Sequence, residues 1–115
     1  MHGLRVARRD EPDATVLELS GEFDLAAEPT FQRELEPALT AAKLVLDLSR
    51  LTFMDSTGLR LVLEANARVR ENGGRCVVVQ GSGSVHRLIK LGLLTSRLEI
   101  ADDAGAPDPQ PEASE

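Results

Sequence analysis

Leu44-Val45-Leu46-Asp47-Leu48-Ser49-Arg50-Leu51-Thr52-Phe53-Met54-Asp55-Ser56-Thr57-Gly58-Leu59 lies at the middle of the 115-residue chain, and the fold is read outward from it. Its first part, from Lys43 to Leu48, is nearly continuous in apolar residues, the pattern of a central strand covered on both faces. Its last part opens the longest helical pattern in the sequence, Thr57 to Glu71, with Leu59, Val62, Leu63 and Val69 on one side. Arg60, Glu64, Arg68 and Glu71 recur on the other side at three- and four-residue spacing, as on a solvated face. A strand, a short loop from Leu51 and a helix opening at Asp55-Ser56-Thr57 are therefore expected.

On the N-terminal side, Leu4 to Arg9 and Thr15 to Ser20 read as two strands joined through Asp10-Glu11-Pro12-Asp13, a hairpin. Gly21-Glu22-Phe23-Asp24 then leaves the sheet. Asp24 is expected to cap a helix running to about Thr40 through Phe31, Leu35, Ala38 and Leu39, with Pro37 kinking it or ending it early. On the C-terminal side, Asn72-Gly73-Gly74 stops the central helix, glycine supplying a left-handed cap. Cys76 to Val79 is a further buried strand. Gly81-Ser82-Gly83-Ser84 leads into a short helix with Val85, Leu88 and Ile89 that ends near Gly92, and Arg97 to Ala101 is a last strand. The order ββαβαβαβ specifies one α/β domain over residues 1–101, with a mostly parallel, twisted sheet and an N-terminal hairpin.

Residues 102–115 form an acidic, Pro-rich segment that lacks the apolar surface to order itself, with Asp102, Asp103, Asp108, Glu112 and Glu115 and no base. They carry most of the net charge of −6. The remaining body is close to neutral, which argues against a nucleic-acid backbone as partner. Aromatics are 3% of the chain, with no Trp or Tyr, so base stacking is disfavoured as well. A single Cys excludes an internal disulfide, and His2 and His86 are too few and too scattered for a zinc site. No apolar run reaches membrane-spanning length and no signal core opens the chain, so a cytoplasmic protein is expected, with no cofactor.

Asp55-Ser56-Thr57-Gly58 is the stretch with most chemistry to offer. Read plainly, it is a helix cap, because Asp, Ser and Thr are all favoured there. Two features add to that reading. Phe53-Met54 is an apolar pair that must tuck under the sheet or face a partner. Gly58 costs about 1 kcal/mol relative to Ala in a helix, and it allows a close approach. A phosphate on Ser56 would bring roughly −1.5 to −2 charges to a helix N-terminus that tolerates them, switching binding rather than folding. Gly81-Ser82-Gly83-Ser84 lacks the Lys of a phosphate-binding loop and the third Gly of a dinucleotide fingerprint. It reads as a turn, with Ser84 capping the next helix.

Leu46-Asp47-Leu48-Ser49 followed by Phe53-Met54-Asp55-Ser56-Thr57-Gly58-Leu59 resembles the signature of the STAS family, in particular its bacterial anti-sigma factor antagonists. Gly21-Glu22-Phe23-Asp24, Gly73-Gly74 before a Val-rich strand, and the Val85…Leu88…Gly92-Leu93 helix are similar too, so the resemblance spans about residues 4–101. It implies that Ser56 is the phosphoacceptor, with Thr57 a weaker alternative. It also implies that Asp55, Ser56, Thr57, Gly58, Gly21, Glu22 and Asp24 contribute to partner binding. The implied partners are an anti-sigma factor that is an ATP-dependent serine kinase and a PP2C-type phosphatase. The unphosphorylated form would bind the anti-sigma factor and release the sigma factor. The implied protein is not an enzyme, contacts neither nucleic acid nor membrane, and is a monomer or weak dimer. A STAS scaffold or transport-accessory component that binds its partners constitutively is the alternative. The chain departs from the family at its end, where the acidic segment stands in place of a closing helix, and at Pro37.

Overall fold

The computed structural model describes residues 3–81, 85, 87 and 98–101. Strand β1 (Leu4–Glu11) turns through Pro12 and Asp13 into β2 (Ala14–Phe23), which pairs with it antiparallel from Leu4↔Gly21 to Glu11↔Ala14. The hairpin is therefore longer than its apolar core, because charged residues such as Arg8, Arg9, Asp10 and Glu11 extend an edge strand without cost. Strand β3 (Lys43–Met54) lies parallel to β2, followed by β4 (Arg75–Val79) and β5 (Glu99–Ala101), both parallel. The five strands stand in the order of the sequence.

The segment after β2 is not one kinked helix. A 3₁₀ turn at Leu25–Ala27 leads into α1 (Glu28–Leu35), and a second 3₁₀ turn at Glu36–Ala38 follows. Pro37 in that second turn explains the early end of α1, since proline supplies no N–H and clashes with the preceding turn. Pro29 is tolerated in the first turn of α1. Helix α2 (Ser56–Glu71) ends as the glycines indicate. Gly73 has φ +84, its N–H donates to the Arg70 carbonyl at 2.9 Å, and the Gly74 N–H reaches back to Val69 at 2.9 Å. These two reverse bonds satisfy carbonyls that the helix end would otherwise strand.

Both helices cover the same face of the sheet. Phe31 and Leu35 of α1, and Leu59, Leu61, Val62, Ala65 and Val69 of α2, join Leu17, Leu19, Leu44, Leu46, Leu48, Cys76 and Val78 in one cluster. The other face carries a smaller cluster, Val16, Val45, Val77 and Val79. This division matches the alternation of side chains along a strand and accounts for the apolar runs of β3 and β4. Leu63 is only partly buried, and Leu61 takes the place expected of it in the core. The expected turn at Ser82–Ser84, His86, the helix from Leu88 to Gly92, Arg97 and the acidic segment 102–115 lie outside the described residues. Val85 and Arg87 are helical, the first buried and the second exposed. Among the described residues no helix is long and apolar enough to cross a membrane, and no cluster of three or more His, Cys, Asp or Glu is poised for a metal.

Burial raises the Cys76 thiol from its usual value of 9.0 to about 12, with the negative charge of Glu99 adding to the shift. The buried neutral thiol stabilises the fold while the unfolded chain also keeps its proton. Stability is therefore expected to hold up to about pH 9 and to fall from there toward pH 12, as only the unfolded thiol ionises. Chemical denaturation across that range, compared with a Cys76→Ala variant, measures the difference. A wild-type curve with the variant's slope above pH 9 would refute the assignment.

Candidate functional site

The ends of β2 and β3 and the start of α2 meet at one corner of the molecule. Two departures from regular pairing shape it. Register shifts between Glu18 and Ser20 and between Gly21 and Glu22 give β3 extra residues relative to β2. The pairing then continues as Ser20↔Arg50, Gly21↔Leu51, Glu22↔Phe53 and Phe23↔Met54. So Gly21-Glu22-Phe23 stays in the sheet, and Leu51 to Met54 is strand rather than loop. The polar residues Ser49, Arg50 and Thr52 disguised this extension, because bulges remove the strict alternation by which a strand is recognised.

The bulged pairing divides the apolar pair. Met54 is buried in the core, whereas Phe53 is 45% exposed. Leu25, just past Asp24, is 68% exposed. These are the only exposed large hydrophobic side chains among the described residues, and each stands within three residues of an end of this corner. Sequence patterning anticipated the ambiguity of Phe53 but not Leu25, which looks like an ordinary first apolar position of a helix.

Asp55 follows β3 directly and is the N-cap of α2. Its Oδ1 accepts the N–H of Thr57 at 2.9 Å and of Gly58 at 3.3 Å, while its carbonyl accepts from Leu59 at 3.1 Å. The cap reading of Asp55 is thus correct, and the carboxylate already occupies amides that a phosphate would seek. Ser56 is the first residue of the helix and is exposed; Thr57 is half-buried.

Gly58 is buried, and the close approach it permits is internal. A Cβ there would stand 2.7 Å from the Phe23 carbonyl oxygen, 3.0 Å from Met54 Cγ and 3.1 Å from Phe23 Cγ. The Asp55 N–H donates to that same carbonyl at 3.4 Å. The end of β2 therefore seats the start of α2.

Gly21 has φ +92, and a Cβ on it would meet the Gly3 oxygen at 2.0 Å. It lets β1 close on β2, where the Glu22 N–H donates to Gly3 at 3.2 Å, and its own carbonyl accepts the Thr52 hydroxyl at 3.1 Å. Asp24 is half-buried and heads the 3₁₀ turn through its carbonyl, which accepts from Ala27 at 3.0 Å. Its side chain makes no capping bond, contrary to the expected helix cap, because the backbone after it winds as a 3₁₀ turn. The seven site residues named from the sequence therefore fall at one corner, with Gly21 and Gly58 in structural positions and Ser56 at the surface.

Asp47 belongs to the Leu46-Asp47-Leu48-Ser49 stretch of the family signature but is not among the site residues expected from the sequence. It is buried among the apolar residues of β3, with Oδ1 accepting the Ser49 N–H at 2.9 Å and the Ser49 hydroxyl at 2.6 Å. Those bonds straddle the first register shift and hold the bulge. On the outer side of α2, Arg60 reaches Glu64 at 2.8 Å and Glu28 at 3.3 Å, and Arg68 reaches Glu36 at 2.7 Å. The charged stripe thus ties α2 to the segment around α1.

The STAS domain profile matches residues 5–105. The anti-sigma F factor antagonist of Paenibacillus polymyxa is 27% identical over 103 residues, covering 87% of this chain and 88% of that protein. Among solved structures, an anti-sigma factor antagonist from Mycobacterium paratuberculosis superposes with a TM-score of 0.79 at 23% identity, over 88% of this chain and 87% of that one. The anti-sigma factor antagonist SpoIIAA in its unphosphorylated form gives 0.71 at 22% identity, over 86% and 90%. The Bacillus SpoIIAA in its phosphorylated form gives 0.65 at 21% identity, over 86% and 93%. A helix seated by Gly58 on a doubly bulged strand pair, and a profile that runs from residue 5 to residue 105, lead to one conclusion: this chain belongs to the STAS-domain family.

Proposed function

We propose that this protein is an anti-sigma factor antagonist whose binding is switched by phosphorylation of Ser56. The observation that carries the reading is the position of Ser56, exposed at the first residue of a capped helix whose preceding strand carries the exposed Phe53 beside its last residue and which is seated on the strand end just before the exposed Leu25. In the unphosphorylated form, Leu25 and Phe53 serve as apolar anchors for an anti-sigma factor, with Asp24 and Asp55 as polar contacts around them. Apolar anchors ringed by polar groups are where interface energy concentrates. Binding there frees the sigma factor.

The partner that docks is also the serine kinase that modifies Ser56. A PP2C-type phosphatase reverses the modification. The protein itself acts by binding rather than by catalysis, as a monomer or weak dimer in the cytoplasm. Antagonists similar in sequence and fold, one of them solved in both phosphorylation states, support this reading.

The test is intact-mass analysis after incubation with ATP and each anti-sigma serine kinase of the source genome, followed by peptide mapping. One added phosphate, mapped to Ser56, is the expected result. No phosphate from any kinase, with binding retained, would favour a constitutive STAS scaffold instead.

A further inference from the structure

The first register shift has a second effect. It brings Arg50, not Ser49, opposite Ser20, while β1 pairs Arg5 with the same Ser20. Arg5, Ser20 and Arg50 therefore form a row across three adjacent strands. With strands spaced about 4.8 Å apart, the two arginine Cα atoms are separated by about 10 Å. A groove of about 610 Å³ opens here, lined by Arg5, Ser20, Gly21, Glu22, Arg50 and Thr52 among others. Bulges commonly re-aim a side chain in this way.

Neither Arg5 nor Arg50 has a carboxylate partner among the described residues. Arg8, Arg9, Arg60, Arg68 and Arg75, by contrast, each pair with one. Both groove arginines are exposed, and two rungs beyond them, past Gly21↔Leu51, stands Glu22↔Phe53 with its exposed ring. Two unpaired guanidinium groups on either side of Ser20, with the exposed Phe53 further along the same strand pair, make a cleft for carboxylates near an apolar residue.

We infer that this groove docks an acidic, apolar-containing segment of the protein partner, continuing the surface around Ser56 onto the sheet. The inference rests on the antagonist reading for the partner's identity but not for the groove's chemistry. An extended lipid or nucleic-acid surface fits poorly, because the groove offers two arginines with Glu22 lining it beside them, whereas a short segment can set its carboxylates against the arginines alone. A free phosphate has no use for Phe53. Two contact regions on one partner give phosphorylation a graded effect: it disrupts the Ser56 region and leaves the arginine groove able to hold on.

The probe is a short peptide of alternating Glu and Leu, titrated to about 1 mM, the range of a weak peptide contact, into the full chain and followed by amide-resolved NMR. Shifts concentrated at Arg5, Ser20, Arg50 and Phe53 are expected, with binding weakened about tenfold or more in the Arg5→Glu, Arg50→Glu double variant. An Arg5→Gln, Arg50→Gln variant should lose binding with less change to the fold, and a Gln-for-Glu peptide should bind weakly to all. Equal binding of the two peptides, or no shifts in the groove, would overturn the inference. So would movement of the same amides on deleting residues 102–115 without peptide, which would make the chain's own acidic segment the occupant. None of these outcomes depends on any kinase, so failure of Ser56 phosphorylation and failure of the groove are read separately.

Discussion

Gly58→Ala is expected to destabilise the protein by about 1–2 kcal/mol, although alanine is the better helix former by about 1 kcal/mol. The added methyl would meet the Phe23 carbonyl oxygen at 2.7 Å, a backbone atom that cannot rotate away. Phe23 has little room to retreat. It is fully buried, its ring lies 4.9 Å from that of Phe31, and its carbonyl also receives the Asp55 N–H. Met54 Cγ, at 3.0 Å, is the one flexible neighbour, so part of the strain can be relieved there. Because the nearest atom is backbone, the overpacking cost lies in the upper part of the usual range, about 2–3 kcal/mol, which leaves about 1–2 kcal/mol after the propensity gain of about 1 kcal/mol. Denaturant unfolding of the variant measures the result. A variant as stable as the wild type would mean that α2 is not seated on β2 as described. Because Ser56 and Asp55 ride on the same turn, the variant should also perturb the site before it unfolds the domain.

How much of this was visible in the sequence differs from one segment to the next, and the reasons are physical. Leu44 to Leu48 and Cys76 to Val79 were legible because a strand buried on both faces needs apolar residues at nearly every position. The α2 boundaries were legible because both ends use strong local chemistry, the Asp55 carboxylate at one and the Gly73 backbone at the other. What was hidden depends on partners far away in the chain. Gly21 to Phe23 and Ser49 to Met54 carry no alternating pattern, yet they pair with one another through two bulges held in part by Asp47 and Ser49. Gly58 was legible as a site of close approach, but its sequence could not say that the approaching group is Phe23. Leu25 was hidden because an apolar residue entering a helix is ordinarily buried; here the 3₁₀ geometry turns it outward.

Ser56→Glu is expected to weaken binding of the anti-sigma kinase by about 100-fold or more, equivalent to about 2.7 kcal/mol, with little change in stability. Ser56→Ala should bind as tightly as the unphosphorylated wild type and resist release by ATP. The asymmetry follows from the local electrostatics. The helix dipole favours an anion at Ser56, but Asp55 already supplies one and already takes the Thr57 and Gly58 N–H groups. A phosphate adds roughly −1.5 to −2 charges beside that carboxylate. In the free protein, water solvates the new charge, because Ser56 is exposed. In the complex, a partner seated on Leu25 and Phe53 would strip that water away, and an unpaired charge in an interface costs several kcal/mol. The penalty therefore falls on the complex and not on the fold. Calorimetric binding of both variants, alongside their unfolding curves, decides the matter. A Ser56→Glu variant that binds like wild type would refute a phosphorylation switch at this residue. A loss of both binding and stability would instead identify Ser56 as part of the helix cap, with its effect on binding secondary to the fold.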